Sequence, residues 1–340
     1  MAENKTVSII YTGGTLGMRP SEKGYVPASD LDGLLRERLP ELGLGALPRY
    51  ELTEYEHPLE SSNATPRHWY ELADRIRDRG EAFDGFVVIH GTDTLAYTSS
   101  ALSFLLSGFG RPVVVTGAQI PLYEVRSDAS GNLIGAMQAI ATGKLHDVSV
   151  CFGRYLLRGN RSTKVKSTEL DAFESPNHPP VAEIGTDFQF NEVNALPPPP
   201  DVLAKPPSYR DCNIAVLPIY PGMPEGVIDA IVGAGAAGIV LRCYGVGTAP
   251  TADEKFLAAL RRACDAGVVV VAVSQCLEGR VTLARYAAGS ALADVGVVSG
   301  FDMTTEAAFA KLHALFALGL DAGTVAGLMQ ENLRGELTPA

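Results

Sequence analysis

Short apolar, β-branched runs recur along the first half of the chain, and each is followed by a polar or glycine-bearing loop. They fall at Thr6–Tyr11, 86–89, 112–116 and Val148–Phe152. Runs of this length with little polar interruption fit strands covered on both faces. Between them the spacing changes to that of helices. Thr65 is a suitable N-cap and Pro66 a suitable first helical residue. Trp69, Leu72, Ala73 and Ile76 follow on one face, and Gly80 closes the segment. Helices are predicted again over 95–106, ended by Gly108, and over 132–141. Strand and helix alternate to about residue 150, which predicts a mostly parallel sheet flanked by helices.

The pattern breaks over 191–211, where prolines stand at 197–200, 206 and 207. Proline at this density continues neither helix nor sheet and reads as a semi-rigid linker. Alternation then resumes, with strands at 213–217, 238–241 and 268–273. The helices are at 224–232 and 252–265, and a final one runs over about 305–318. The expected organisation is α/β throughout. A larger N-terminal domain covers 1–190, a proline-rich linker 191–212, and a smaller C-terminal α/β domain 213–340. No repeat at solenoid periods is visible.

Composition narrows the function class. The chain has 340 residues, 46% hydrophobic and 20% charged, enough for sizeable cores. A formal charge of −11 argues against nucleic acid or an anionic membrane as the main partner. The first residues carry no basic n-region, so no secretory leader is expected. The longest apolar stretches, 230–241 and 266–273, are too short for a membrane span. Cys151, Cys212, Cys243, Cys264 and Cys276 form no CxxC pair and read mostly as small buried thiols in a reducing cytoplasm.

Two of the predicted strands end in threonine-bearing loops. The first runs Thr12, Gly13, Gly14, Thr15, Leu16, Gly17; the second His90, Gly91, Thr92, Asp93, Thr94. Strand ends of open α/β sheets are where ligands bind. Glycine beside a hydroxyl lets the backbone approach a substrate closely. The polar stretch 18–24 leads to Tyr25 and reads as a glycine-hinged lid. The alternative for the first loop is a plain turn with an incidental threonine. For the second loop it is helix capping by Thr92 or Asp93, ahead of a helix near Leu95. His90 reads as a structural histidine rather than a base. Lys164 lies in a polar loop where a lysine is ordinarily solvated. Glu60, Ser61, Ser62 and Asn63 form a polar turn, and residues 116–119, with Ala118, end a third strand of the same sheet. GxxxxGK[ST], HExxH, zinc-spaced Cys/His clusters and GxSxG are missing, and Gly245-Val246-Gly247, after a predicted strand, runs on into Thr248, Ala249 and Pro250, which is not GxGxxG. No metal and no cofactor are called for, and hydroxyl-based nucleophilic catalysis remains.

In this order the loops at 12–17, 90–94 and 162–164 resemble the bacterial L-asparaginase family, closest to its cytoplasmic type I branch. The stretches 60–66, 126–128, 171–177, 241–247 and 302–304 match as well, so the resemblance covers nearly the whole chain. It implies an amidohydrolase that converts L-asparagine and water to L-aspartate and ammonia through a threonine nucleophile. By that resemblance Thr15 is the nucleophile and Tyr25 its lid partner, and Thr92, Asp93 and Lys164 form a second, triad-like group. Ser61, Ser62, Thr92, Asp93 and Ala118 contact the substrate. A homodimer or homotetramer in the cytoplasm is implied too. Some type I members carry a regulatory asparagine site matching Arg242, Ser274 and Cys276; the alternative there is a buried structural arginine and a core thiol. Glu60 stands where close type I relatives tend to have Asp, which bears on selectivity.

Other classes remain in view. They are a glutaminase-asparaginase of broader specificity, an amidotransferase subunit or lysophospholipase on the same scaffold, and a non-catalytic amino-acid-binding protein. Retention of Thr15, Thr92 and Lys164 weighs against the last.

Overall fold

Four strands that are mainly apolar and buried along almost their whole length form the centre of the larger sheet, because helices cover both of its faces. In the computed structural model, which describes residues 5–22, 24–27, 30–39, 47–191, 196, 199–283 and 287–339, the chain divides into two compact units, Met1–Ala195 and Leu196–Ala340.

The first unit opens with β1 (Thr6–Tyr11), followed by an antiparallel hairpin of β2 (Met18–Ser21) and β3 (Gly24–Pro27). Next come α1 (Leu31–Arg38), β4 (Arg49–Glu54), α2 (Pro66–Asp78), β5 (Gly85–Ile89) and α3 (Leu95–Leu105). β6 (Val113–Thr116), α4 (Ala129–Ala141), β7 (Val148–Phe152) and β8 (Tyr155–Arg158) complete the α/β run. β9 (Thr163–Lys164) pairs antiparallel with β10 (Phe173–Glu174), and β11 (Ala182–Ile184) with β12 (Phe188–Phe190).

The main sheet has the order β12-β11-β8-β7-β6-β5-β1-β4. Five strands, β7 to β4 in that order, run parallel, and β8, β11 and β12 extend the edge antiparallel. The chain leaves β1 toward β4 on one side and leaves β5 toward β6 on the other. The order therefore reverses between β1 and β5, and the carboxyl ends of strands at such a reversal are where open α/β sheets bind ligands. α2 starts as its sequence predicts. Pro66 is its first residue, and Thr65 and His68 form a reciprocal cap, with the Thr65 N–H donating to His68 Nδ1 at 2.9 Å. α3 is buried almost all round, with only Tyr97 half-buried, so its sequence lacks a clear polar stripe.

The second unit builds a parallel sheet in sequence order. Its strands are β13 (Asn213–Pro218), β14 (Ala236–Cys243), β15 (Val269–Ser274) and β16 (Val298–Ser299). Its helices are α5 (Gly226–Gly233), α6 (Glu254–Asp265), α7 (Ala287–Asp294), α8 (Thr305–Ala317) and α9 (Ala322–Met329). Ile228 of α5, Phe256 and Leu260 of α6 and Leu292 of α7 share a core with Ile239, Leu241, Val270 and Ala272 of the sheet. α8 and α9 also contact the strands.

Several expectations need correction. The stretch read as a lid loop is the β2–β3 hairpin. The helix at 305–317 is not the last, because α9 follows; its mixed small and polar residues hid it. α1, β4, α7 and the short strands after β7 were not legible, being too short or too polar to show a period. Within the predicted linker, Asp201–Leu203 forms a 3-10 turn with Leu203 buried. Residues 192–195 and 197–198 of that linker lie outside the described residues, as does Lys23 of the hairpin. Only Cys151 and Cys243 are fully buried; Cys212 and Cys264 are half-buried and Cys276 is exposed. Among the described residues, no helix is long and apolar enough to cross a membrane, and no Cys, His, Asp and Glu cluster has the arrangement of a metal site.

Candidate active site

The two threonine loops follow neighbouring strands. Tyr11 is opposite Ile89 in the β1–β5 ladder, and the pairing continues one residue further, with the Thr12 N–H and Oγ1 both donating to Ile89 O at 3.0 Å. Beyond it the loops pack backbone on backbone. Gly14 has φ 95°, and a Cβ on it would lie 2.5 Å from the Gly91 backbone. A Cβ on Gly91 would meet Ser61 Oγ at 2.5 Å, and one on Gly13 would collide with the Leu59 carbonyl. The glycines thus let three segments, around Gly14, Ser61 and Gly91, converge at one sheet end. Thr15 opens a 3-10 turn (Thr15–Gly17) and is half-buried, while Ser61 opens another (Ser61–Asn63) and is buried. Ser62 and Glu60 are exposed.

Thr92 is buried, Asp93 is exposed, and neither caps α3. The N-cap is Thr94, whose Oγ1 instead donates to Ser61 O at 2.8 Å and ties the 61–63 turn to the second loop. Capping is therefore the wrong reading of Thr92 and Asp93: their side chains are engaged elsewhere. Lys164 is the partner. It sits on β9 rather than in a loop, and its side chain is only 21% exposed. Its Nζ donates to Thr92 Oγ1 at 2.8 Å and to Asp93 Oδ1 at 2.8 Å. A lysine that reads as solvated in isolation is held between a hydroxyl and a carboxylate.

Thr92 has a second partner that the sequence did not single out. Its Oγ1 donates to Gln119 Oε1 at 3.3 Å. Gln119 lies early in the loop that follows β6, directly after Ala118, which is fully buried. That loop is held by Asp128, whose carboxylate accepts from the Gln119 and Ile120 N–H groups and from Asn132 Nδ2. Resemblance drew attention to Asp128; only the fold shows what it holds.

Tyr25 is 49% exposed on the hairpin and donates from Oη to Glu124 Oε1 at 2.7 Å, a bond that pushes its phenol pKa up. Among the described residues no hydrogen bond joins it to Thr15. His90 is buried, with Nδ1 2.8 Å from Gly91 O and Nε2 3.0 Å from Thr98 Oγ1. Burial pulls its pKa below the ordinary value, so it is neutral: Nδ1–H donates to the carbonyl and Nε2 accepts from Thr98. That is the structural role expected of it.

Arg242 and Ser274 come near each other at the carboxyl ends of β14 and β15, where Cys243 pairs with Ser274. Arg242 Nε is buried without a hydrogen-bond partner. Ser274 Oγ donates to Gly245 O at 2.7 Å and accepts from the Cys276 N–H at 3.0 Å. The alternative of a core thiol fails for Cys276, which is exposed because it lies past the strand end.

Residues 6–195 match the family described as Asparaginase, N-terminal, and residues 213–329 match the Glutaminase/Asparaginase C-terminal domain. The chain is 43% identical to L-asparaginase 1 of Escherichia coli (strain K12) over 343 aligned residues, covering 99% of each. It is 36% identical to the 60 kDa lysophospholipase of Mus musculus, covering 99% of this chain and 63% of that protein. The crystal structure of L-asparaginase I from Vibrio cholerae superposes with a TM-score of 0.90 at 40% identity, covering 98% of this chain and 99% of that one.

Proposed function

The chain belongs to the asparaginase family and hydrolyses L-asparagine to L-aspartate and ammonia, and from that premise we propose how its own residues divide the work. The observation that carries the assignment is the double contact of Lys164 Nζ, 2.8 Å from both Thr92 Oγ1 and Asp93 Oδ1. An ammonium there polarises the Thr92 hydroxyl and holds the Asp93 carboxylate.

Thr15 is the nucleophile in this reading. Its Oγ attacks the side-chain amide carbon and its proton passes to a neighbouring acceptor. The amide nitrogen leaves as ammonia once protonated, and a β-aspartyl ester on Thr15 remains. Water then attacks that ester; the C–Oγ bond breaks, and aspartate and the threonine hydroxyl are restored. Thr92, polarised by Lys164, is the group that relays protons to and from the water. The oxyanion of each tetrahedral stage has donors available. The first turn of α3, which begins just after Thr94, has N–H groups without intrahelical acceptors and the positive end of the helix dipole. The exposed Asp93 carboxylate suits the substrate ammonium; Ser61, Ser62 and the backbone at Ala118 suit its carboxylate and amide. Tyr25, on the hairpin, closes over the site.

Purified protein should release ammonia from asparagine far faster than from glutamine. Equal turnover of both would favour the broader glutaminase-asparaginase reading. Thr15→Ala should fold and lose nearly all turnover, because it removes one hydroxyl and little packing; near-normal turnover would remove Thr15 as nucleophile.

A cytoplasmic homodimer or homotetramer is part of the same proposal and rests on similarity to the type I enzymes; an active monomer in sedimentation would refute the assembly. The set Arg242, Ser274 and Cys276 is proposed as a second amino-acid site, supported by the unpartnered Nε of Arg242 beside an exposed strand end. A guanidinium with a free N–H suits a carboxylate.

A further inference from the structure

The side-chain amide of Gln119 has two chemically different ends, and its surroundings decide which way it faces. Nε2 lies 3.0 Å from Ser167 O and 3.2 Å from Glu169 O. Both are acceptors, so the NH2 end must face them, and Oε1 faces Thr92. Oε1 accepts only. At 3.3 Å the Thr92 hydroxyl is therefore the donor. The same hydroxyl oxygen accepts from Lys164 Nζ at 2.8 Å. Its rotor is thereby set: proton toward Gln119, one lone pair toward Lys164, and one lone pair left over. The main chain of Gln119 is anchored separately, by the Asp128 carboxylate, so the side chain can be altered without releasing the loop.

Ser167 and Glu169 belong to the turn that joins β9, which carries Lys164, to β10. One amide therefore touches the hydroxyl and also grips the segment following the lysine. We propose that Gln119 is a positioning residue, which fixes the Thr92 hydroxyl rotor and holds the Lys164-bearing hairpin in register with it. The proposal rests on the assignment of Thr92 and Lys164 above and adds the group that aligns them.

Two variants test it. Gln119→Leu removes both ends of the amide and should lower kcat about 10- to 100-fold with KM little changed, the scale expected when a reacting group is misplaced by about an ångström. Gln119→Glu separates positioning from packing. As the neutral acid it mimics the amide, its C=O toward Thr92 and its O–H toward a carbonyl of the turn. Ionised, it sets a carboxylate against two carbonyls and releases the turn. The other charged groups joined to this network are Lys164, Asp93 and Asp128. The kcat of Gln119→Glu relative to the unmodified enzyme should climb as pH falls through the carboxyl titration, whereas the ratio for Gln119→Leu stays flat.

Unmodified kcat in a folded Gln119→Leu overturns the proposal, as does a pH-independent ratio for Gln119→Glu. Thr92→Val and Lys164→Met keep the two assignments apart. If both are inactive while Gln119→Leu is fully active, only the Gln119 role fails. If both retain full turnover, the catalytic assignment fails with it.

Discussion

Lys164 illustrates how much a residue's meaning depends on its neighbours. The ammonium, the Thr92 hydroxyl and the Asp93 carboxylate form one hydrogen-bonded unit, so their contributions should not add. Thr92→Val and Lys164→Met should each cost about as much kcat as the pair combined, because either one breaks the same relay. Strictly additive losses would indicate two independent roles. His313 carries a different residue-scale prediction. It is buried in α8 beside Cys212 Sγ at 3.1 Å, and burial pulls its pKa from 6.5 to about 4. The unfolded chain then binds the proton in that window and the native state does not. Stability therefore rises with pH there and is lost as pH falls from 6.5 toward about 4, by roughly 3 kcal/mol at most from this group. His90, also held neutral by burial, acts in the same direction. Thermal melts of His313→Gln across that window should show a shallower pH slope than the unmodified protein; an unchanged slope would assign the acid lability elsewhere.

At the scale of elements, the site is made by loops that can approach only because they lack side chains. Gly14 combines φ 95° with backbone contact to Gly91, so Gly14→Ala is both strained and blocked. It should abolish turnover and cost about 1–3 kcal/mol of stability, measured by denaturant unfolding, since neither backbone can yield. The exposed Gly24 also has positive φ, but open space surrounds it, so Gly24→Ala should be far milder. The β2–β3 hairpin carries Tyr25, whose Oη donates to Glu124. Hydrogen exchange over 18–26 should slow on addition of aspartate if the hairpin closes on ligand; equal protection in both states would count against a moving lid.

At the scale of the whole molecule, the second unit is closed by an ion pair with no solvent exposure on either side chain, Lys311 to Glu336 at 2.6 Å. Lys311 on α8 also donates to Met329 O and Glu331 O, and Glu336 accepts from the Leu333 and Arg334 N–H groups. Burial opposes both charges, but the Lys311 ammonium and these N–H groups hold the Glu336 pKa below its ordinary value. Removing one partner strands the other. Lys311→Met should cost about 3–5 kcal/mol, and adding Glu336→Gln should return part of that loss. Asparagine saturation is the matching test for the second amino-acid site. A sigmoidal curve that Arg242→Ala flattens would support it, and a hyperbolic curve in the unmodified protein would remove it.

Apolar runs such as Thr6–Tyr11 and the capped helix after Thr65 were readable because local periodicity and capping chemistry are written in neighbouring residues. So was the family, through the ordered loops at 12–17, 90–94 and 162–164. The polar hairpin, the short antiparallel strands and α9 were not, since none carries enough apolar period to outweigh its loop-like composition. The site divides the same way. Hydroxyls at strand ends marked where chemistry belonged. That β1 and β5 are neighbours, that Lys164 turns from solvent to Thr92, and that Gln119 faces the same hydroxyl are decided by strand order and packing. Those contacts join residues 27 to 77 positions apart, and no local signal reports a partner that only the folded sheet brings within hydrogen-bonding reach.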